Sequence, residues 1–363
     1  MKIAFYAPLK PPGHPHPSGD RLLARLLIAA LSRAGHEVHV ASALRTFEGA
    51  GNESAQRDLR DRALAEADAL INRYSAGAAP DLWFSYHVYH KAPDWIGPKV
   101  ADALGLAYVV AEASLSPRQE NGPWREGHRQ ARHCISRADA MVALNRRDLV
   151  CTVPLLGPGV PTLVLAPFID LDAWPPPATR TCGDGGPVRL AAVAMMRPGD
   201  KQRSWEELCD LIAQLPDDGW TFDAVGDGAL DDEIQDRLRA AGGDRVRCHG
   251  RLEGAALAAL LDRTDLVVWP AVNEAFGMAL LEAQSRGAAV FAGRRGGVAE
   301  IVAHGRTGYL YDPHNGGAAR ALAYLVQRPK VLARMGETAS RRVRERHGLD
   351  LAAERLDRLV RSL

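Results

Sequence analysis

The sequence lacks the features that mark secreted, nucleic-acid-binding and membrane-spanning proteins. Its five cysteines are far apart, odd in number and form no Cys-x-x-Cys pair. We therefore predict neither a disulfide framework nor a cysteine-based zinc site. With 45 Lys and Arg against 44 Asp and Glu, the formal charge of +1 gives no electrostatic basis for binding nucleic acid. No apolar run approaches the roughly 18 residues that a membrane span requires.

The N-terminal residues do not have the pattern of a signal peptide. Met1 and Lys2 lead directly into a short apolar run and then into prolines, which is too little for the core of a signal peptide. We therefore expect a cytoplasmic protein, with at most peripheral contact with the inner face of a membrane.

The 363 residues, 47% of them hydrophobic and 25% charged, are enough for two soluble domains. Short continuous apolar runs alternate with amphipathic segments. The runs predict strands at 2–7, 37–41, 81–86, 107–111, 140–144 and 188–194. This alternation predicts parallel sheets covered by helices on both faces, in which ligands bind beyond the carboxyl ends of the strands. A Gly-x-Gly-x-x-Gly motif is absent after the first strand, which disfavours a dinucleotide-dependent dehydrogenase.

The stretch from Trp269 to Gly287 carries the strongest chemical signal. It joins the end of an apolar run to a helix and holds two carboxylates, Glu274 and Glu282, eight positions apart. Gly277 lies between them, and the amides that follow it are unpaired donors at the positive end of a helix dipole, where a phosphate binds well. Carboxylates on both sides of such a site suit a ligand with hydroxyls on both sides of a diphosphate, such as a sugar nucleotide.

These residues also resemble a known family. Glu274-Ala275-Phe276-Gly277 followed by Leu281-Glu282-Ala283 looks like the E-x7-E signature of retaining glycosyltransferases of family 4. The segments 296–302 and 305–310 follow at the spacing of that family. The resemblance implies the GT-B fold, an α/β architecture of two doubly wound, Rossmann-like parallel-sheet domains facing each other across a cleft.

Composition predicts where the two domains divide. Pro175-Pro176-Pro177 and the polar, glycine-rich residues after them have the profile of a linker. We predict an acceptor-side domain over residues 1–168, a linker over 169–187 and a nucleotide-sugar-binding domain over 188–347. The remaining residues, 348–363, carry a leucine stripe that predicts a helix, and the resemblance implies that this helix crosses back to the first domain.

In the second domain the resemblance assigns residues to the donor. Arg197 and Lys201 follow the strand at 188–194 and correspond to the Arg and Lys with which the family holds the diphosphate, although the same charges would also suit a solvated surface. Ser204 and Glu207 have the spacing of a capping box, which predicts that a helix begins there. The predicted catalytic residues are Arg197, Lys201 and Glu274, and the predicted donor-binding residues are Phe276, Gly277, Met278, Ala279 and Glu282, with Arg251 and Leu252 meeting the base through main-chain groups.

In the first domain the match to the family is weaker. Of the family's glycine-rich loop this sequence keeps Gly19, which either contacts ligand or is a turn glycine. Where family members often have a histidine near the reacting sugar, this chain has Ala113. His87, which follows another predicted strand, either occupies the same cleft as a substrate-binding residue or is a structural histidine.

The predicted function is transfer of a hexose from a nucleotide diphosphate sugar to a hydroxyl acceptor with retention of configuration, in bacterial glycolipid or polysaccharide synthesis. The acceptor is lipid-linked or an oligosaccharide by analogy. No cofactor and no metal site are predicted, because Arg197 and Lys201 supply the positive charge that a magnesium ion would bring. Two alternatives remain open: a sugar-nucleotide epimerase of the same fold, and a non-catalytic sugar-nucleotide-binding protein.

Overall fold

A computed structural model describes residues 1–16, 18–176 and 186–363. The chain forms two compact units. The first unit comprises Met1–Ala166 together with Leu349–Leu363, and the second comprises Pro167–Gly348. Part of the predicted linker, residues 177–185, lies outside the described residues, while residues 169–176 belong to the second unit.

The first unit is built on a parallel sheet of six strands. The strands are β1 (Lys2–Tyr6), β2 (Glu37–Ser42), β3 (Leu82–Val88), β4 (Ala107–Ala113), β5 (Ala140–Ala143) and β6 (Thr162–Val164). They lie in the order β2-β1-β3-β4-β5-β6. The helices between them are α1 (Gly19–Arg33), α2 (Glu53–Ser75), α3 (Gly97–Leu104), α4 (Arg125–Arg137) and α5 (Leu149–Thr152). The central strands are buried at nearly every position, as the continuous apolar runs predict for a parallel sheet.

The second unit repeats this architecture. Its strands are β7 (Val188–Val193), β8 (Trp220–Val225), β9 (Val246–Cys248), β10 (Leu266–Trp269), β11 (Ala289–Gly293) and β12 (Gly308–Tyr311). They lie in the order β12-β11-β10-β7-β8-β9, so that β7 and β10 are neighbours. The helices are α6 (Asp200–Ile212), α7 (Asp231–Gly242), α8 (Gly254–Arg263), α9 (Met278–Ser285), α10 (Val298–Ile301), α11 (Ala318–Val326) and α12 (Pro329–Arg346).

The last helix, α13 (Leu349–Val360), belongs to the first unit. It packs against α1 and buries Leu349, Leu356 and Leu359. An ion pair between Arg33 Nη1 and Asp350 Oδ1, 2.7 Å long, adds to this contact, but both side chains are exposed and such pairs contribute little. The apolar stripe therefore supplies most of the stabilisation.

The capping-box prediction at Ser204 and Glu207 is wrong. Helix α6 begins at Asp200, four residues before Ser204. Gly199, which has a φ of 94°, is the last residue of the preceding loop. Ser204 lies inside the helix, where its hydroxyl donates to the carbonyl of Asp200 and accepts from the amide of Val272. Glu207 instead pairs with Arg295, 2.9 Å away. Both side chains thus hold loops from elsewhere in the second unit.

Within the described parts of the chain, no helix combines the length and the apolar character that crossing a bilayer requires.

Candidate active site

The loop between β10 and α9 has a backbone that is fixed in an uncommon conformation. Three of its residues, Ala271, Asn273 and Gly277, have positive φ values of 61°, 50° and 76°. Such values are rare for residues with a side chain and are tolerated where the surroundings enforce them. The side-chain amide of Asn273 donates to Asp200 Oδ2 at 2.9 Å, and the amide of Val272 donates to Ser204 Oγ at 3.0 Å.

Two glycines after β11 support the same loop from the other side. A Cβ on Gly296 would overlap the carbonyl oxygen of Glu274, and a Cβ on Gly297 would overlap that of Ala275. The amide of Gly297 donates to the carbonyl of Glu274 at 3.3 Å. The backbones approach this closely because neither position has a side chain. Gly296 and Gly297 therefore determine how closely the loop that carries Glu274 approaches the segment after β11.

The side chain of Glu274 is paired with Lys201. Oε2 of Glu274 lies 2.5 Å from Nζ of Lys201 and accepts a 3.3 Å hydrogen bond from Trp269 Nε1. Lys201 Nζ also lies 5.3 Å from the centre of the Trp269 ring. The structure thus brings together two of the three predicted catalytic residues, in contact with each other.

Arg197, the third of them, is placed differently. It follows β7, it is exposed, and its guanidinium makes no hydrogen bond or ion pair with the described residues. An unpaired guanidinium at the carboxyl end of a central strand is available for a phosphate, which it binds in a bidentate geometry.

Helix α9 begins at Met278, and its N-cap residue, Gly277, has no side chain to cap it. The amides of Met278 and Ala279 lie in its first turn, where no helical carbonyl can accept them. Phe276, just before the cap, is buried and anchors the turn. Neither amide donates to a backbone carbonyl of the described residues, so both remain donors at the positive end of a helix dipole, as the predicted anion site requires.

Glu282 lies in the second turn of α9. Its carboxylate is half-buried and has no hydrogen-bond or ion-pair partner among the described residues. Burial raises the pKa of Glu282 to about 7. A partly buried carboxylate without a partner is costly unless a ligand satisfies it, which suits a pair of ribose hydroxyls.

The predicted base-binding residues lie after β9. Arg251 is exposed and its guanidinium contacts Glu253, while Leu252 packs partly against the core of the second unit. The amide of Gly226, which follows β8, donates to the carbonyl of Gly250 at 2.9 Å. The main chain at 250–252 is thus held against the end of β8. The Arg251 side chain is paired with Glu253.

In the first unit, Gly19 is the first residue of α1. Its amino-terminal cap is Ser18, whose hydroxyl accepts from the amide of Arg21 at 3.2 Å. A Cβ on Gly19 would meet nothing within 4 Å, and the backbone there does not have a positive φ. The fold therefore does not require glycine at this position.

His87 lies at the end of β3 beside two carboxylates. Its Nδ1 is 3.2 Å from Asp20 Oδ1 and 3.9 Å from Glu112 Oε2. Burial alone would lower the pKa of His87, but Glu112 and Asp20 outweigh it and raise the pKa to about 9. The imidazole is therefore positively charged at neutral pH. Its Nε2 makes no hydrogen bond to the described residues and remains available as a donor.

The partners of His87 were not predicted as site residues. Asp20 reads in the sequence as an ordinary acidic residue in the first turn of a helix, and Glu112 as the end of a buried strand. The rule that ligands bind at the carboxyl ends of parallel strands is the one signal that points to Glu112.

The comparisons with known proteins agree with this architecture. Residues 193–342 match the family model described as "Glycosyl transferases group 1". The chain is similar to a glycogen synthase of Mycobacterium tuberculosis, with 28% identity over 351 residues, 90% of this chain and 78% of the relative. It is also similar to a D-inositol 3-phosphate glycosyltransferase of Streptomyces avermitilis, with 37% identity over 131 residues, 35% of this chain and 28% of the relative.

Two solved structures resemble the whole chain. Sucrose-phosphate synthase from Thermosynechococcus elongatus superposes with a TM-score of 0.74 at 19% identity, covering 100% of this chain and 98% of the other. HepE from Anabaena, solved with UDP, superposes with a TM-score of 0.75 at 18% identity, covering both chains fully.

The chain has the GT-B fold, with two Rossmann-like domains, which confirms the fold-class prediction. The family-model match, which contains every predicted donor-side residue from Arg197 to Glu282, supports a GT-B glycosyltransferase of group 1.

Proposed function

We propose that this protein transfers a hexose from a nucleoside diphosphate sugar to a hydroxyl group of an acceptor, with retention of configuration and without a metal ion. We further propose that it acts in the cytoplasm on a precursor of a bacterial glycolipid or polysaccharide. One observation carries the proposal: an unpaired Arg197, the Lys201–Glu274 pair and the uncapped start of α9 all lie at the carboxyl ends of the adjacent strands β7 and β10.

The reaction makes a specific demand on such a site. The bond between the anomeric carbon and the diphosphate oxygen breaks, and negative charge grows on the leaving diphosphate. Preorganised positive groups at that point lower the barrier. Arg197 and the amides of Met278 and Ala279 supply them, and Lys201 joins them when the donor separates it from Glu274.

The proton balance requires no separate base. The acceptor hydroxyl attacks the anomeric carbon from the face that the diphosphate leaves, and its proton passes to an oxygen of the leaving phosphate. Glu274 then accepts hydrogen bonds from the hexose, and Glu282 accepts them from the ribose.

The relatives support the class of donor. A structure of HepE is described as a complex with UDP-glucose, and the same fold here offers the site described above. Main-chain contacts at Arg251 and Leu252 would not distinguish one base from another. In the first domain, the proposal places Gly19 and the charged His87 on the side of the transferred sugar and the acceptor.

The test is incubation of the purified protein with UDP-glucose, GDP-glucose and ADP-glucose, each with and without EDTA. We expect slow release of one nucleoside diphosphate, unchanged by EDTA, and an α-linked product once an acceptor is supplied. Inversion of the anomeric centre in that product would contradict retention. Activity lost in EDTA and restored by magnesium or manganese would contradict metal independence.

The alternatives give different outcomes in the same assay. An epimerase would convert the donor sugar without transferring it. A binding protein would retain the nucleotide sugar and release neither product, an outcome that the absence of the family histidine at Ala113 makes worth testing.

A further inference from the structure

Helix α6 holds the loop between β10 and α9, residues 270–277, at three points. Three residues in the first two turns of the helix each contact a different residue of this loop, and the three contacted residues are consecutive in the sequence. The contacts are Asp200 Oδ2 with Asn273 Nδ2 at 2.9 Å, Lys201 Nζ with Glu274 Oε2 at 2.5 Å, and Ser204 Oγ with the amide of Val272 at 3.0 Å. The start of α6 therefore helps to determine where Glu274 lies.

The conformation of the loop depends on such contacts. Ala271 and Asn273 have positive φ values of 61° and 50°, which cost free energy in residues that carry a side chain. A loop in this conformation relaxes to a commoner one when the contacts that enforce it are lost. Because Glu274 directly follows Asn273, relaxation would move its carboxylate.

The three contacts differ in whether they survive donor binding. Lys201 is the proposed ligand of the diphosphate, so its contact with Glu274 breaks when the donor binds. Asn273 is exposed to solvent, where water competes for its hydrogen bond with Asp200. Ser204 is 1% exposed, which keeps solvent away from its hydroxyl. The contact made by Ser204 is therefore the one that persists in the donor complex.

A second hydrogen bond fixes the direction of the Ser204 hydroxyl. The hydroxyl donates to the carbonyl of Asp200, one turn earlier in α6, at 2.9 Å, and this leaves an oxygen lone pair for the amide of Val272. Without the hydroxyl, that amide would have no partner among the described residues, which is destabilising at a partly buried position. The helix itself does not need the serine, because alanine has a higher helix propensity.

We propose that Ser204 is a positioning residue of the transfer reaction. It does not contact the substrate, and it keeps Glu274 directed at the hexose after Lys201 has moved to the diphosphate. This role rests on the proposed function. Helix α6 then serves both sides of the bond that breaks: Lys201 engages the leaving diphosphate, and Ser204 acts on the sugar through the loop.

The test separates the hexose from the nucleotide. The donor that the parent hydrolyses and the matching nucleoside diphosphate are titrated into Ser204→Ala by calorimetry, and transfer is measured with the same donor. We expect donor affinity and kcat to fall at least about tenfold, because Glu274 loses its hold on the hexose. Nucleoside diphosphate affinity should stay within about twofold of the parent, because Lys201 and the start of α9 are unchanged.

A double-mutant cycle shows whether Ser204 acts through Glu274. Ser204→Ala, Glu274→Ala and the double variant are compared in transfer. A residue that only positions the Glu274 side chain has nothing to position once that side chain is gone. We therefore expect the double variant to be within about threefold of Glu274→Ala alone, whereas losses that multiply would overturn the proposal.

Two further variants complete the set. Thr338→Ala in α12 removes a hydroxyl that donates to the carbonyl of Arg334 at 2.8 Å, the same intrahelical bond that Ser204 makes. It is expected to leave donor affinity, nucleoside diphosphate affinity and transfer unchanged. Ser204→Cys fills the same space with a much weaker acceptor and serves if Ser204→Ala does not fold. It is expected to lower donor affinity by about threefold or more and to retain nucleoside diphosphate affinity.

The outcomes separate this proposal from the one on which it rests. If the parent neither binds nor hydrolyses any nucleotide sugar, the proposed function fails. If the parent is active and the Ser204 variants keep its donor affinity, the positioning role alone is overturned. Equal losses of affinity for donor and nucleoside diphosphate would also overturn that role, because Ser204 would then support the whole site and not Glu274 in particular.

Discussion

Lys201 and Glu274 form an ion pair, with Nζ of the lysine 2.5 Å from Oε2 of the glutamate. The two residues are 73 positions apart and meet because α6 follows β7, the loop of Glu274 follows β10, and these strands are neighbours. Each residue has a different proposed ligand, the diphosphate for Lys201 and the hexose for Glu274. In the free protein each therefore neutralises the other, and a donor must separate them to engage both.

Arg197 has no such partner in the part of the chain that the structure describes, and its removal is the first test of the donor site. We expect Arg197→Ala to lower turnover by about 10² to 10³, the usual cost of losing one preorganised group that stabilises developing charge. Arg237→Ala, which removes an exposed arginine of α7 paired with Glu206, is the matched control and is expected to leave turnover unchanged. A rate for Arg197→Ala within about threefold of the parent would show that Arg197 lies outside the site.

Gly297 tests the support of the Glu274 loop. Its φ of −89° is open to any residue, so Gly297→Ala introduces no backbone strain, but the added Cβ would overlap the carbonyl of Ala275. We expect a loss of about 1 to 3 kcal/mol in stability and at least a tenfold loss of donor affinity. Gly317→Ala, at a position with space around it, is the control for thermal denaturation. If both variants melt together and bind donor equally, the loop does not depend on Gly297.

Sequence reasoning predicted the strands and assigned a chemistry to the β10–α9 segment because both rest on local signals. The apolar runs of β1, β4 and β7 and the Glu274 to Glu282 spacing can be read directly. The pairing of Lys201 with Glu274 cannot be read from the sequence, because it depends on the order of the strands in the sheet.

Other misses have equally physical causes. His87 and Glu112 have positive φ values of 64° and 52°. Neither residue type indicates such a backbone conformation in the sequence. The three-residue strand β6 is too short for a periodic pattern. The Ser204 and Glu207 spacing failed because tertiary partners, Val272 and Arg295, took both side chains.

The charge on His87 predicts a pH profile. The pKa of His87 in the folded protein is raised to about 9, well above the unfolded value of about 6.5. If the imidazolium donates a hydrogen bond through Nε2, transfer should be flat from pH 6 to 8 and should fall as the pH rises through about 9. His87→Gln should lower transfer by about tenfold and remove that fall.

Stability follows the same sign. The contribution of His87 to folding is fully present below its unfolded pKa and is lost as the pH rises through about 9, so His87→Gln should destabilise the protein more at pH 6 than at pH 9.5. His133→Gln, an exposed histidine of α4, is the control. Transfer that instead increases from pH 6 to 9 in the parent would identify His87 as a base and contradict the charged form.

The two glutamates of the β10–α9 segment should differ in which ligand they affect. Glu282 has no partner within residues 1–16, 18–176 and 186–363 and lies on helix α9, so Glu282→Gln should weaken the intact donor and the free nucleoside diphosphate alike, by about tenfold or more. Glu274→Gln should not weaken nucleoside diphosphate binding, because the hexose that Glu274 holds is absent from that product and Lys201, the proposed diphosphate ligand, is released from its ion pair. It should reduce transfer. Calorimetric titration of both variants with both ligands measures the difference, and equal, small effects on the two ligands would contradict separate roles.

Protonation of Glu282 supplies an independent check without substrate. Its folded pKa of about 7 exceeds the unfolded value, so the folded protein binds the proton more tightly and stability falls as the pH rises from about 4 to 7. Glu282→Gln removes this penalty. The variant should therefore be more stable than the parent at pH 8, on the order of 1 to 3 kcal/mol, and nearly equal to it at pH 4.

Nucleoside diphosphate binding by the parent should strengthen over the same pH range, because ribose hydroxyls are bound by the ionised carboxylate. A parent whose stability and nucleotide affinity are both flat between pH 5 and 8 would mean that Glu282 is ionised throughout and is satisfied by the protein itself.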